Sequence, residues 1–461
     1  MKLIKYVSRS LQVAFALCVN VVVGATSAHS ATLDDALRAS LNNSADLSAA
    51  RQSWVSAREE IGVSTSTSDL TGTVRITGNQ THADTGKSSG FEQSQYASAA
   101  ITLSKNLYDG GQTVEKTKLA RYKLDAESAS YSNTEQGLIL QTIEAYLDVV
   151  KAQREVTLHA DNLARLESHV RAADARVRAG AATPTRVAES KARYARAQSD
   201  AIAAAANLQN AQDMLHSLTG IELRALELPK ALTSLPASLI EAETVARAEH
   251  PSVRKAIANE LSASQQFNTL AATVKPTVSL SLSASTKDKT GTAGDLDDMS
   301  AQIVFSSPFL STNATRAKSR SVSASHTQSK FARDEAIRAV EVALRSAFRN
   351  MSTAQTRLDA VTSELDATRL VARGIVSEVT FGQKTILDQL DAEQDVNAAE
   401  LRLLTAEHDI VIASYRFKAA MGRLSAVNLG LGDALPALND TPAPVPIFSG
   451  IIPIRNKSFG Q

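Results

Sequence analysis

Cysteine is all but missing from this chain: there is one in 461 residues, at position 18. Disulfides therefore hold nothing together here. Aromatic residues make up only 4% and tryptophan occurs once, which argues for helical rods over a thick globular core. After the N-terminus no run approaches ~20 uninterrupted apolar residues, so an inner-membrane helix bundle is excluded. The formal net charge of +1 gives no support to a nucleic-acid surface. Proline is absent from the start of the chain to Pro184 and again from Phe309 to Leu435, so long helices meet no forced break there.

What is present begins with an address. Lys2, Lys5 and Arg9 precede an apolar stretch from Leu11 to Val23, and small residues follow from Ala25 to Ala31. This is the pattern of a secretory signal peptide over residues 1–30, with cleavage expected between about Ala28 and Ala31. Cys18 lies inside it, so the exported chain carries no thiol.

A second pattern spans the rest. Gly180 and Gly382 stand 202 residues apart (382 − 180), and at the same offset Leu103, Tyr146, Thr183 and Gly220 meet Phe305, Phe348, Thr385 and Gly422. The expectation is an internal duplication: a first repeat over 31–222, a connector over 223–238, a second repeat over 239–432, and a proline-rich tail over 433–461. Within both copies the heptads coincide. Val149, Val156, Leu163, Val170 and Val177 recur every seventh residue, and 202 further on stand Met351, Leu358, Leu365, Ala372 and Val379. Such spacing makes supercoiled helices.

Each repeat reads as a helix, a β-hairpin, a long helix and a return helix. An apolar stripe through Leu33, Leu37, Leu41, Leu47 and Trp54 predicts one helix from Thr32 to Thr65. Leu70, Gly72, Val74 and Ile76 then alternate with threonines and Arg75, a period of two that belongs to a strand. A polar loop is expected from His82 to Ser94, and a second strand through Ala97, Ala99, Ile101 and Leu103. In the second copy Val278, Leu280 and Leu282 alternate with serines, and Ala301, Ile303 and Phe305 follow a Lys/Asp/Gly loop.

Strands of about ten residues cross a bilayer when tilted. They could also form a soluble hairpin with one face on a core. In lipid, two hairpins cannot close a barrel by themselves, so closure there requires several chains. The first rod should run from Gln112 to Arg178, ~100 Å at 1.5 Å per residue. A turn at Gly180 to Pro184 should reverse it into a helix of roughly half that length, with the missing half supplied by the helix before the hairpin. Four helical columns per chain result, two continuous and two composite. In the second return helix Ala392, Ala399, Ala406, Ala413 and Ala420 form a row that admits a close neighbour.

No catalytic constellation and no metal-ligand spacing appear among the eight histidines, so no enzyme, cofactor or metal is expected.

Two stretches carry a family resemblance. Leu107-Tyr108-Asp109-Gly110-Gly111, after a strand and before a long helix, is similar to the strand-to-helix junction of the TolC family of outer-membrane channels. Phe381-Gly382-Gln383-Lys384-Thr385-Ile386-Leu387-Asp388-Gln389-Leu390-Asp391-Ala392-Glu393, with Ala413-Ser414-Tyr415-Arg416 and Ala420-Met421-Gly422-Arg423-Leu424, resembles the family's most recognisable stretch. The resemblance implies a mainly α fold with membrane β: a homotrimer whose hairpins form a 12-stranded outer-membrane β-barrel, continued by a long coiled-coil helical barrel into the periplasm. It implies a passive exit duct for drugs or secreted polypeptides, docked by a periplasmic adaptor protein and an inner-membrane transporter of RND or ABC type, with outer-membrane lipid around the barrel.

By the same resemblance Asp388 and Asp391 correspond to aspartates that ring the periplasmic constriction. Three chains would gather six carboxylates, raise some of their pKa values and favour cations. The other reading of this pair is helix-start acids favoured by the dipole. Lys384 stands where a gating arginine is expected and Val379 where a tyrosine is, while Thr185 and Arg186 occupy positions of the closing network. Lys384, Arg186 and Thr185 are thus candidate locking residues. Tyr108 and Phe309, at the strand ends, are candidate membrane-boundary aromatics. The rival function is a periplasmic coiled-coil adaptor or scaffold, which would lack membrane strands.

Overall fold

The computed structural model describes residues 32–434, except 85–90, 224–225, 230, 233–234, 237, 291–295 and 311–312. The signal segment and the proline-rich tail beyond residue 434 lie outside the described residues.

Helices α1 (Leu33–Asn43) and α2 (Ala45–Thr65) lead into strands β1 (Thr71–Asp84) and β2 (Phe91–Tyr108), followed by the rod α3 (Gln112–Arg178) and the return helix α4 (Pro184–Thr219). The same succession recurs as α5 (Leu239–Glu249), α6 (Pro251–Ala272), β3 (Thr277–Thr290), β4 (Leu296–Ser306), α7 (Asn313–Thr380) and α8 (Ile386–Ala420). The two rods have 67 and 68 residues. The span expected for the first, Gln112 to Arg178, is the one observed.

The single helix expected from Thr32 to Thr65 is two. Ser44 takes an extended conformation between them (φ −69°, ψ 119°), its N–H bonding to Ser40 O and its Oγ accepting from Leu47 N. One serine thus closes the first helix and caps the second. The apolar stripe runs through the break unchanged, which is why periodicity passes over it. At the equivalent joint His250 is extended, its Nδ1 accepts from Ser252 N, and Pro251 starts α6.

The strands form one antiparallel sheet in the order β1-β2-β3-β4. They run 14, 18, 14 and 11 residues, longer than the ten or so expected, and they take in both ends of the segment read as a loop from His82 to Ser94. The register sorts the side chains by chemistry. Gly72, Leu103, Leu282 and Ala301 lie in one row, and Val74, Ile101, Ala284 and Met299 in the next row of the same face. On the opposite face Thr73, Thr102, Ser283 and Ser300 share a row, with Ser283 Oγ 2.8 Å from Ser300 Oγ. One face is apolar and solvent-exposed, with Ile76 78% and Ile303 69% accessible; the other is polar.

Asp109 turns the chain from β2 into α3. Its carboxylate accepts from Gly111 N at 2.9 Å and Thr113 N at 2.7 Å, capping the rod. Gly110 takes φ +66°, and a Cβ there would stand 2.8 Å from Lys275 Cβ, so only glycine lets α3 start beside the end of α6.

The helices follow the order of the strands: α2 packs on α3, α3 on α6, and α6 on α7. α4 lies along α3, while α8 lies along α7 and meets α3 as well. Gly220, ending α4, abuts Asn43, and Gly422, beyond α8, abuts His250. The composite columns are therefore α2 with α4 and α6 with α8, each meeting where its helix pair breaks, while α1 packs on α3 and α5 on α7 beside the joints.

The core sits at that joint. Ile139, Ile143, Tyr146, Leu147 and Val149 of α3 pack with Leu37 of α1, Leu424 and Leu431. Tyr146 is wholly buried, and its hydroxyl donates to Glu227 O (2.9 Å) and accepts from Glu227 N (3.2 Å), pinning the connector. Its counterpart Phe348 meets Phe417 with ring centroids 5.6 Å apart. The alanine row is closely packed, with Ala392, Ala399, Ala406 and Ala413 all buried. In α3 the last residue fully buried within the chain is Ala152; Val156, Leu163, Val170 and Val177 are half-buried.

Candidate functional site

Far from the sheet, the hairpins α3–α4 and α7–α8 end in matching turns, with Gly180 at φ +73° and Gly382 at φ +74°. Their charges do not match. Residues 165–200 carry eight Lys or Arg and four Asp or Glu, a net +4 (8 − 4), whereas 367–402 carry four and six, a net −2 (4 − 6). The two tips thus attract rather than repel.

Asp388 is the N3 residue of a capping box. Its Oδ2 accepts from Thr385 N (2.8 Å) and Thr385 Oγ1 (2.7 Å), while Thr385 Oγ1 accepts from Asp388 N (3.3 Å). Those bonds from Thr385 hold the Asp388 carboxyl below its usual range, with Lys384 and Arg186 adding to the effect. Within one chain the shift is therefore opposite to the rise expected from crowded carboxylates, because donors and cations are its neighbours. The helix-start geometry and the ring position are compatible: the cap uses Oδ2 alone.

Asp391, one turn on, is exposed and receives Arg193 Nη2 at 2.7 Å, and Arg193 Nη1 reaches Gln394 Oε1 at 3.0 Å. A bond from α4 to α8 thus ties one hairpin to the other. Within one chain the candidate locking residues make no such bond between the hairpins, although Arg186 lies in the field of Asp388. Arg186 lies 3.7 Å from Glu189 on its own helix. Thr185 is exposed in the first turn of α4, and Lys384 is exposed and makes no ion pair among the described residues. Sequence inspection missed Arg193, whose partner lies 198 positions away.

A second tie runs from His169 of α3, whose Nε2 lies 2.9 Å from Glu393 Oε2; Gln389 Nε2 donates to the other oxygen at 2.8 Å. Burial raises the Glu393 pKa, but the bonds from His169 and Gln389 outweigh it and leave the carboxyl below its usual range. Between the hairpins lies a cleft of about 640 Å³ walled by Ala172, Ala173, Ile386, Leu387 and Leu390 and rimmed by Arg176, Arg186 and Glu189.

At the sheet, Tyr108 shares a row of the apolar face with Val278 and Phe305. Phe309 does not belong to that row: β4 ends at Ser306, and Phe309 stands beyond it, 93% exposed. A β-bulge between Asn106 and Tyr108 shifts the register at the end of β2 and brings Tyr108 opposite Val278.

Among the described residues no helix is long and apolar enough to cross a membrane, and no three His, Cys, Asp or Glu converge as a metal site would require.

Comparison with known proteins agrees with this architecture. The outer membrane efflux protein BepC of Brucella suis biovar 1 (strain 1330) is 29% identical over 427 residues, covering 92% of each chain. Outer membrane protein TolC of Escherichia coli (strain K12) is 24% identical over 74% of this chain and 73% of its own. The crystal structure of the Campylobacter jejuni CmeC outer membrane channel superposes with a TM-score of 0.72 at 14% identity, covering 85% of each chain. The family model for outer membrane efflux proteins matches residues 36–221 and 244–423, one segment in each half. With rods, hairpins and jointed columns in this order, the chain belongs to the outer membrane efflux protein family and is a protein of the outer membrane.

Proposed function

We propose that three copies of this chain close a 12-stranded barrel in the outer membrane and continue it as a helical tunnel through the periplasm. The assembly is a passive exit duct, non-enzymatic, of a tripartite efflux pump or a type I secretion system. The observation that carries this reading is the sheet: one apolar face, one polar face, and two open edges at β1 and β4. In lipid, unpaired edge groups each cost several kcal/mol, so the edges must meet those of other copies. The half-buried heptads of α3 below Ala152 point the same way, since a single chain covers them only in part.

Both halves repeat the same elements, which supports an internal duplication with a connector between. At the far end Asp388 and Asp391 form the constriction, and the adaptor protein and the RND- or ABC-type transporter engage this end. Tyr108 and Phe305 mark the periplasmic lipid boundary, with Phe309 just beyond. A scaffold without membrane strands is set aside by the sheet and by the family match.

Paired substitutions test the orientation. Val74→Lys places a charge on the apolar face at a cost of ~2–4 kcal/mol at mid-bilayer, and outer-membrane assembly should fail. Thr73→Lys, on the polar face, should assemble and shift ion selectivity towards anions. Equal assembly of both variants would show that the apolar face does not meet lipid.

A further inference from the structure

α3 and α8 are the helices that meet across the two hairpins, and four charged contacts run down their seam. In order from the core to the tip, Arg416 Nε donates to Glu144 Oε1 (2.7 Å), His408 Nε2 lies 3.0 Å from Asp148 Oδ1, Arg154 Nη1 donates to Glu407 Oε2 (3.0 Å), and His169 Nε2 lies 2.9 Å from Glu393 Oε2. Two of the four are arginine pairs, charged at any physiological pH. The other two depend on imidazole, the side chain whose ordinary range of titration lies near neutrality.

Both histidines face carboxylates across the seam or beside it. His408 is only 8% exposed, and its Nδ1 lies 3.3 Å from Asp409 Oδ1, so each ring nitrogen faces a carboxylate. Arg357 of α7 bonds the second oxygen of Asp409 at 2.9 Å and balances part of that charge, and Arg416 and Glu144 pair with one another nearby. His169 faces Glu393, which is also held by Gln389 and lies in the field of Arg165; Glu189 and Arg186 of α4 line the same cleft. A neutral imidazole can donate to one carboxylate. A protonated one makes a charge-assisted bond about twice as strong, and at His408 it makes two.

We propose that the α3–α8 seam is a pH-responsive fastening: protonation of His169 and His408 clasps the second hairpin to the first and holds the tip in its packed form. An acidified periplasm would tighten the duct's narrow end, and a neutral one would leave the two histidine bonds weakened beside the arginine pairs. The consequence for gating rests on the duct reading above; the fastening itself does not.

Deuterium exchange of the intact assembly in mild detergent tests it, read on peptides of α8 at pH 5.5 and pH 8.0 and corrected for intrinsic exchange. Wild-type α8 should open about fivefold less often at pH 5.5. His169→Gln combined with His408→Gln should remove the difference. Should that variant not assemble, His169→Arg with His408→Arg supplies fixed charge and should exchange at the slower rate at both pH values. A wild-type ratio of one, a pH difference that persists in the glutamine variant, or one that persists in the arginine variant overturns the proposal. A seam that responds to pH in a protein that forms no pore would instead overturn the duct reading and leave the fastening intact.

Discussion

Arg193 Nη2 donates to Asp391 Oδ1 across 2.7 Å, from the return helix of one hairpin to that of the other. Neither group is buried, with side chains 24% and 57% accessible, so the bond is worth about 0.2–1 kcal/mol. In single-channel recording Arg193→Ala should therefore raise the ratio of open to closed time by up to about fivefold. Exchanging the charges, Arg193→Asp with Asp391→Arg, should bring it back. An open fraction unchanged in Arg193→Ala would show that this bond does not restrain the tip.

Asp388 does two things at once in this account, and one substitution separates them. Asparagine keeps an oxygen for the Thr385 donors but removes the charge. Asp388→Asn with Asp391→Asn should abolish block by a trivalent cation while keeping the cap's oxygen acceptor, whereas Asp388→Ala loses the cap itself and should lower the melting temperature more than Asp388→Asn alone. Because Thr385 depresses the Asp388 pKa, the carboxylate's contribution to stability is present above its unfolded value and lost as pH falls through the folded one. Cation block should persist into mild acid and fade below the ordinary carboxylate range. Identical block in wild type and the asparagine variant would place the constriction elsewhere.

Glu135 is 6% exposed in α3, and its Oε1 accepts from Ala426 N at 2.7 Å. Burial pushes its pKa up, and the single backbone bond does not offset this. The sign follows: a raised folded pKa gives stability that is present below the unfolded value and lost as pH rises through the folded one. Glu135→Gln keeps an acceptor for Ala426 and has no charge to bury. Its melting temperature should exceed wild type at pH 8 and match it at pH 4. The reverse order at pH 8 would mean that the ionised form is the one the fold prefers.

Gly422 and Gly430 both hold left-handed backbone, φ +78° and +77°, but a Cβ on the first would stand 2.4 Å from His250 Cα while the second faces open space. Gly430→Ala should cost only the backbone strain, ~1–2 kcal/mol. Gly422→Ala adds overlap with the α5–α6 joint, for about 2–5 kcal/mol in all. Thermal unfolding of the two variants compares them, and equal losses would remove the close approach as the reason for glycine there.

The parts of this fold that were legible in the sequence are those set by local periodicity. Heptads place α3 at Gln112–Arg178, and alternation assigns Val74 and Thr73 to opposite faces of β1. The capping box of Thr385 and Asp388 was visible in outline as helix-start acid. Features set by distant geometry were not legible. The break at Ser44 leaves the apolar stripe intact, and it falls where Gly220 approaches Asn43. Tyr108 comes opposite Val278, and so into the row of Phe305, through a one-residue bulge that no spacing reveals, while Phe309 lies beyond the end of β4. Arg193 and His169 acquire their roles from α8, more than 190 positions along the chain, and nothing near them announces it.

The central claim is closure of a membrane barrel by three chains, and native mass spectrometry of protein extracted from the outer membrane tests it most directly. The account predicts one oligomer, three times the mass of the processed chain, with conductance in planar bilayers confined to that species. A monodisperse monomer or dimer that conducts in the same bilayers would contradict it, since four strands with two open edges could then seal a pore without further copies.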